Sequence, residues 1–249
     1  EYEDYCRRYL SDMRYVKSLF EIYPCLERML MEVVENASNN YSLLLERLIA
    51  DNNLIAEKFN SGKEMGEVEK VESSGSDSHK KGNSVFVISW SNGKKIVYKP
   101  HSLKTETAFQ NFQDYISRHC KLKAKEFTIL NRGTYGWEEF IEYQTCKSKD
   151  EVKKYYYRVG MLIFCTYLLN VNDIHTENLI ASGEYPVIID SETIMGNKRG
   201  KNKKRAIEKV YDQINESVLN SGILPLYKYA QNGKGIERSA TNGKEGDVY

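Results

Sequence analysis

The first part of the chain carries apolar residues at the spacing of amphipathic helices. Within residues 26–34 they recur at steps of three and four, which places them on one helical face. Pro24 precedes this run, and the first turn of a helix tolerates proline. A polar stretch at residues 36–40 separates it from another apolar face at residues 44–49. We expect helices throughout residues 1–60, with a break near residues 36–40.

From about residue 66 the helical spacing gives way to short runs rich in β-branched and aromatic residues, which are typical of strands. The predicted strands are residues 66–73, 84–90 and 95–99. A Ser-Asn-Gly turn at residues 91–93 joins the last two as a hairpin. The pattern therefore predicts a small antiparallel sheet after the helices.

Helical and extended patterns alternate in the rest of the chain. The predicted elements are a helix from Ser102 or Thr105 to His119, strands at 127–130 and 137–143, and helices at 152–169 and 206–220. Between the last two helices, Leu179-Ile180 and residues 187–189 flank a turn that contains Ser182 and Gly183. This pattern predicts two short antiparallel strands joined by a tight turn.

Two clusters of polar residues flank this predicted hairpin. Asp173, His175 and Asn178 precede it, and Asp190 and Glu192 follow it. Antiparallel strands bring their outer ends together, so we expect both clusters at one place. Carboxylate and amide oxygens suit Mg²⁺ with bound phosphate better than zinc. Protein kinases use the same order, which is an Asp, an Asn five residues later and a second Asp after a hairpin. The alternative is a surface hairpin with solvated acids.

A lysine and a polar loop in the predicted sheet suit the same chemistry. Lys99 ends the third strand, where it could reach the α- and β-phosphates of a nucleotide. The loop at residues 73–82 contains glycines whose backbone N–H groups could approach phosphate, although it has no GxGxxG pattern. It carries Asp77 and His79 instead, so it could take part in chemistry. The alternatives are a solvated strand lysine and a plain polar turn.

The order of elements predicts an α+β fold with two lobes, like that of protein and lipid kinases. We expect a helical region at residues 1–62 and a sheet lobe with the phosphate loop at residues 63–146. A helical lobe with the metal-binding loops, cut short at its C-terminus, is expected at residues 147–249. Glu106 or Asp114 could pair with Lys99, as a helix glutamate does in kinases, although an exposed helix carries such acids anyway. Glu138 and Glu139 receive no role.

Composition narrows the class of protein. The 36 basic and 35 acidic residues balance, so no global field indicates nucleic acid as a partner. The five cysteines are scattered without a CxxC pair, which favours a reducing compartment over a disulfide framework or a zinc site. No apolar run approaches the length of a membrane-spanning helix, and no signal peptide opens the chain. We expect a cytoplasmic protein, and the first residue, Glu1, indicates a fragment of a longer chain.

Several stretches together resemble the N-terminal dehydratase domain of class II lanthipeptide synthetases, without their zinc-binding cyclase domain. They are YPCLERML (23–30), SGSDSHKKG (74–82), KKIVYKP (94–100), NVNDIHTENLIASGEYPVIIDSET (170–193) and SVLNSGILP (217–225). The resemblance covers nearly the whole chain. The DxHxxN pattern from Asp173 to Asn178 is also similar to the catalytic loop of lipid kinases.

The resemblance implies a reaction and roles for the matching residues. These enzymes use ATP and Mg²⁺ to phosphorylate Ser and Thr in a precursor peptide made of a leader and a Ser/Thr-rich core. They then eliminate phosphate to leave dehydroamino acids. Lys99 would bind the ATP phosphates, Asp173 and His175 would orient or deprotonate the hydroxyl, and Asn178, Asp190 and Glu192 would hold Mg²⁺. Asp77 and His79 would serve transfer or elimination.

The chain also departs from the family pattern. The family's elimination step uses an Arg and a Thr far downstream of the catalytic loop, and Arg238 and Thr241 lie too near Glu192 to take those roles. Two other functions therefore stay open. One is a kinase of lipids or small molecules with the same DxHxxN loop, and the other is a truncated, inactive module that binds a nucleotide or peptide.

Overall fold

A computed structural model describes the chain over several ranges. These are residues 2–73, 84–172, 174–191, 193–194, 206–225, 227–229, 235–237 and 239–241. The chain forms two compact units, Glu1–Pro100 and His101–Tyr249. Both contain helices and antiparallel strands, so the predicted α+β class is confirmed. The three regions predicted from the sequence, 1–62, 63–146 and 147–249, divide the chain at other points and stay a prediction.

The first unit begins with helices. They are α1 (Tyr2–Tyr5), a π-helical turn (Cys6–Leu10), α2 (Met13–Ile22) and α3 (Pro24–Asn60). The carboxylate of Asp12 caps α2 by accepting the N–H of Arg14 at 2.9 Å. Pro24 stands in the first turn of α3, as predicted.

The predicted break at residues 36–40 is wrong, because α3 continues through that stretch as one helix of 37 residues. Asn and Ser in a helix interior each cost only a fraction of a kcal/mol relative to alanine, and neither removes a backbone donor as proline does. The end of α3 is left-handed instead, with Ser61 at φ 53°.

Three antiparallel strands follow in the first unit. They are β1 (Val68–Ser73), β2 (Phe86–Trp90) and β3 (Lys95–Lys99). Phe86, Ile88 and Trp90 are buried on alternate positions of β2, while the residues between them are half-buried. Gly93 has φ +79° in the turn between β2 and β3, the backbone conformation that this hairpin turn requires.

The second half of α3 packs against this sheet. The rings of Tyr41 and Phe86 lie 4.8 Å apart between centroids, and Arg47 Nη1 donates to the hydroxyl of Tyr98. Leu44 and Ile55 are fully buried. These contacts join the long helix to the strands within one unit.

The described residues of the second unit form three helices, three short hairpins and a 3₁₀ turn. The helices are α4 (Lys104–Ser117), α5 (Lys149–Leu168) and α6 (Ala206–Asn215), and the 3₁₀ turn is Val218–Ser221. The hairpins are β4 (Ile129–Asn131) with β5 (Gly136–Glu139), β6 (Leu179–Ser182) with β7 (Tyr185–Ile188), and β8 (Tyr227–Tyr229) with β9 (Gly235–Glu237). The β8–β9 hairpin was not predicted.

The predicted helix at residues 206–220 ends early, at Asn215. The side chain of Ser217 accepts the N–H of Leu219 at 3.2 Å, which caps the following 3₁₀ turn. A serine that binds a backbone N–H two residues ahead competes with a continuing helix. The apolar spacing through Val218 therefore reflects two elements.

Helix α5 is the centre of this unit. Its N-terminus is capped by the Ser148 hydroxyl, which accepts the N–H of Glu151 at 3.1 Å, while Glu151 Oε2 accepts the N–H of Lys147 at 2.6 Å. Its buried side enters one apolar core. That core contains Phe109, Val159, Met161, Leu162, Cys165, Val171, Ile174, Leu179, Ile188 and Ile223. Burial raises the pKa of the Cys165 thiol to about 12, so this thiol stays protonated in the core.

Arg158 joins α5 to the turn of the β6–β7 hairpin. Its Nε donates to Lys123 O at 2.6 Å, and its two Nη atoms donate to the carbonyl and the carboxylate of Glu184, both at 3.0 Å. The guanidinium also stacks over the ring of Tyr185, 4.1 Å from its centroid. The Arg158 side chain is only 5% exposed, so these bonds lie away from water.

Arg158→Ala should lower the free energy of unfolding of the His101–Tyr249 unit by about 2–4 kcal/mol, because it leaves partners of a largely buried ion pair without their donor. The matched control is Arg118→Ala. Arg118 pairs with Asp114 on the surface of α4 and is 66% exposed, so we expect a loss of about 0–1 kcal/mol. Urea unfolding curves measure both. Equal losses in the two variants would contradict the role given to Arg158.

The same turn should make stability depend on pH. Burial alone would raise the pKa of Glu184, but the Lys154 hydrogen bond and the Arg158 charge outweigh it and hold this pKa below its ordinary value. As the pH falls, the unfolded chain therefore takes up a proton at Glu184 at a higher pH than the folded chain does. We expect wild type to be more stable than Glu184→Gln above about pH 5, with the difference shrinking as the pH falls below about 4. Unfolding midpoints of both proteins across this range measure it; a difference that grows toward low pH would contradict the assignment.

Candidate active site

The loop that carries His175 starts at the C-terminus of α5. Asn170 adopts a left-handed conformation with φ 49°, which asparagine tolerates better than most residues. Its N–H donates to Tyr167 O at 3.2 Å, and the N–H of Val171 donates to Thr166 O at 2.9 Å. These two bonds are the pair of a Schellman motif. They reverse the chain and lead it into residues 171–178, here named the histidine loop.

Segments far along the chain hold the histidine loop. The N–H of Ile174 donates to Ser221 O at 2.9 Å, and the hydroxyl of Thr176 donates to Ser239 O at 3.1 Å. His175 also forms an isolated antiparallel bridge with Ser239. The Ile174 side chain is only 1% exposed and lies in the core. The backbone of this loop is thus held by residues 221 and 239.

Gly222 is needed where it stands for two reasons. It has φ +79°, a conformation that L side chains rarely adopt. A Cβ at this position would lie 2.6 Å from Ile174 O and 3.3 Å from Ile174 N. Only a glycine lets this segment approach the histidine loop so closely.

His175 and Asn178 form the polar part of the loop. The N–H of Asn178 donates to His175 O at 3.0 Å, which closes a turn between them. The imidazole then turns back along the loop. Its Nδ1 accepts the N–H of Glu177 at 3.3 Å, and its Nε2 lies 3.3 Å from Asn178 Nδ2. Asn178 Nδ2 thus contacts the imidazole, and the amide oxygen of Asn178 is the atom that a cation would use.

The β6–β7 hairpin brings Asp190 back to this loop. Leu179 pairs with Ile188, and one step further out the N–H of Ile189 donates to Asn178 O at 3.0 Å. Asp190 is therefore the residue after the direct backbone partner of Asn178. The convergence of His175, Asn178 and Asp190, predicted from the hairpin pattern, is observed in the backbone.

The donors brought together here fit a hard cation. Asn178 offers an amide oxygen and Asp190 a carboxylate, both of which are oxygen ligands of the kind that Mg²⁺ takes. Within the part of the chain that the structure describes, no group of three or more His, Cys, Asp or Glu side chains could hold a metal ion. A cation here would draw on Asn178 and Asp190 among the described residues.

Of the five other predicted site residues, the structure describes Lys99. Lys99 is the last residue of β3, is 7% exposed and belongs to the Glu1–Pro100 unit. Asp77, His79, Asp173 and Glu192 lie outside the described residues. The roles of these five residues stay predictions.

A small pocket lies beside the segment that carries Asp190. Helix α4 provides one wall, and the end of β7 with the residues after it provides the other. Its lining residues are Glu106, Phe109, Gln110, Gln113, Phe127, Ile188, Ile189 and Ser191. Glu106 is buried in the first turn of α4, and its Oε1 lies 3.2 Å from His101 Nε2. The polar side of α4 therefore faces the residues next to Asp190.

Sequence reasoning missed the residues that support the site. Thr176, Thr193, Ser221, Gly222 and Ser239 hold the loops by hydrogen bonds or by close approach, and no predicted role fell on them. The stretch SVLNSGILP at residues 217–225 was noticed only as part of a resemblance. A Ser-Gly pair after a predicted helix was the one local signal for a tight turn at this point.

Comparisons with known proteins place the chain in context. The model of the family DUF4135, described as a domain of unknown function, matches residues 23–249. A lacticin 481/lactococcin biosynthesis protein, LcnDR2 of Lactococcus lactis subsp. lactis, is 32% identical over 212 residues, which cover 80% of this chain and 21% of that protein. The chain thus spans about a fifth of the length of this curated relative. No helix among the described residues is both long enough and apolar enough to cross a membrane.

Gly222→Ala should disturb the histidine loop. A left-handed alanine costs about 1–2 kcal/mol, and the contact with Ile174 O adds about 1–3 kcal/mol more. The control is Gly183→Ala, since Gly183 also has positive φ, at +61°, but its Cβ would meet nothing within 4 Å. Urea unfolding and hydrogen exchange of residues 172–178 measure the two effects. Equal exchange of this loop in both variants would contradict the close approach.

Proposed function

This chain belongs to the DUF4135 family, and we propose that it acts in lantibiotic biosynthesis by dehydrating Ser and Thr in a ribosomally made precursor peptide. The resemblance to class II lanthipeptide synthetases inferred from the sequence is confirmed at the level of the family. The reaction proposed is ATP-dependent phosphorylation of the hydroxyl followed by elimination of the phosphate.

One observation carries the proposal. His175, Asn178 and Asp190 meet where the histidine loop joins the β6–β7 hairpin, through the 3.0 Å bond from Ile189 N–H to Asn178 O. The imidazole of His175 contacts the Asn178 amide, and Asp190 follows the backbone partner of Asn178. A base and oxygen donors on neighbouring backbone suit phosphoryl transfer, since a positioned base and a held phosphate act on the same hydroxyl. A surface hairpin with solvated acids would not require its loop to be anchored to residues 221 and 239.

The first step of the proposed reaction is phosphorylation. The peptide hydroxyl gives its proton to Asp173 or His175 while its oxygen bonds to the γ-phosphorus of ATP, and the bond from that phosphorus to ADP breaks. Lys99 would bind the phosphates of ATP. Asn178, Asp190 and Glu192 would hold Mg²⁺, which when bound neutralises charge on the phosphate oxygens.

The second step removes the phosphate. A base takes the α-proton of the phosphorylated residue, the Cα–Cβ double bond forms, and the Cβ–O bond breaks to release phosphate. Asp77, His79 and His175 are the groups of this chain that we assign to proton transfer or to stabilising the leaving phosphate. A histidine suits either role because its pKa ordinarily lies close to neutral pH.

The test is mass spectrometry of a Ser/Thr-rich precursor peptide after incubation with this chain, ATP and Mg²⁺. Loss of water from the peptide would support both steps. A gain of phosphate alone would support the first step and overturn the second for this chain. An unmodified peptide together with phosphorylation of a lipid or small molecule would replace the proposal with a kinase of that class. No phosphorylation of any substrate, with Mg²⁺–ATP bound, would replace it with a binding module.

Asp190→Asn should lower the rate of peptide phosphorylation by at least about 100-fold, because losing a carboxylate at a metal–phosphate site removes charge that the transition state needs. The control is Asp150→Asn. Asp150 lies in the first turn of α5 and pairs at 2.9 Å with Lys154 on the surface, so its variant should keep the wild-type rate. Circular dichroism checks that both variants fold. A folded Asp190→Asn protein with full activity would remove Asp190 from the metal assignment.

A further inference from the structure

A second hydrogen bond joins the two segments of the candidate site. The hydroxyl of Thr193 donates to the carbonyl oxygen of Asn172. Asn172 directly precedes Asp173, and Thr193 lies three residues after Asp190. The bond therefore runs between the two segments that carry the proposed catalytic and metal-binding residues.

This bond complements the one at the base of the hairpin. The N–H of Ile189 donates to Asn178 O at 3.0 Å, so the two segments are joined at residues 178 and 189 by one bond and at residues 172 and 193 by the other. In the sequence, Asp173 and His175 lie between the two hydrogen-bonded residues of one segment. Asp190 and Glu192 lie between those of the other segment. The two bonds thus lie on either side of the stretches of sequence that carry His175 and Asp190.

The histidine loop is held by other segments as well. Ile174 N–H donates to Ser221 O, and the Thr176 hydroxyl donates to Ser239 O. The segment after β7 is joined to this loop at two points, at residues 189 and 193. Beyond Ile189, the bonds that hold its described residues include a turn from Ile194 N–H to Ser191 O at 3.3 Å and the bond of Thr193. The hydroxyl of Thr193 is therefore placed to set where this segment lies relative to the loop.

We propose that Thr193 is a positioning residue, whose hydroxyl holds the segment that carries Asp190 against the histidine loop that carries His175. This inference rests on the proposed function. Thr193 acts through the backbone of Asn172 and touches no reacting atom in the proposal. Misplacing a catalytic group by about 1 Å can reduce a rate about 100-fold, so a single bond between the segments can matter for turnover.

The test compares three substitutions of threonine. Thr193→Val keeps the shape of the side chain and removes the hydroxyl, whereas Thr193→Ser keeps the hydroxyl. Thr107→Val makes the same chemical change at another half-buried threonine of this unit, whose hydroxyl donates to Leu103 O at 2.7 Å within α4. The measurements are kcat for peptide phosphorylation, the Mg²⁺ concentration at half-maximal rate, Tm, and hydrogen exchange of residues 189–194.

We expect Thr193→Val to lower kcat about 10–100-fold and to raise the Mg²⁺ requirement, as the loss of an outer hydrogen bond around a metal site does. Exchange of residues 189–194 should rise, while Tm should fall by only about 2–4 °C, as a single lost hydrogen bond implies for a unit of this size. Thr193→Ser should restore kcat and the Mg²⁺ requirement. Thr107→Val should leave kcat, the Mg²⁺ requirement and the exchange of this segment unchanged.

Several results would overturn the proposal. If Thr193→Val matches Thr107→Val in kcat, Mg²⁺ dependence and hydrogen exchange, the hydroxyl of Thr193 positions nothing. Thr193→Ser as impaired as Thr193→Val would assign the effect to packing of the methyl group. If wild type phosphorylates no peptide, the proposed function fails. The positioning role is then tested without turnover, by comparing the Mg²⁺–ATP affinity from calorimetry and the hydrogen exchange of residues 189–194 among wild type and the variants. Equal affinity and equal exchange in all variants would then reject it.

Discussion

The pairing of β6 with β7 is the constraint on which the candidate site depends. The two strands are four residues each, and their ladder continues through the bond from Ile189 N–H to Asn178 O. Because strand pairing places partners directly opposite, this register alone determines that Asp190 follows the residue across from Asn178. A shift by one residue would move Asp190 away and turn Ile188 out of the core to which it belongs.

The hairpin keeps this register because α5 holds it from one side and the polypeptide after α6 supports the loop beside it. Arg158 binds both the carbonyl and the carboxylate of Glu184 in the β6–β7 turn. At the other end, Ser221 and Gly222 contact Ile174, and Ser239 contacts Thr176. The site is therefore built on a helix, a hairpin and two segments near the end of the chain. Its half-buried polar residues lie beside one apolar core. Rigid support of this kind is what a catalytic constellation requires.

Much of the local structure could be predicted from the residues. Ser148 and Glu151 form a cap before α5, the Ser-Asn-Gly turn forms the β2–β3 hairpin, and the pattern around Ser182 and Gly183 forms the β6–β7 hairpin. These signals act over a few residues, so no distant partner has to be known. The errors have the same origin. Polar residues at 36–40 were taken to break α3, and apolar spacing at 206–220 was taken as one helix, because exposure and capping decide those cases.

The sequence by itself indicated candidate residues for chemistry and a hairpin between them, since residue type and the pattern of strands and turns are local properties. It therefore indicated His175, Asn178 and Asp190 together, and the family to which the chain belongs. Only the tertiary structure decided what holds them. Thr193 bonds to Asn172 across 21 residues, and Gly222 lies against Ile174 from far along the chain. No local pattern encodes such contacts, because a backbone carbonyl carries no sequence signal and its partner is chosen by the packing of whole elements.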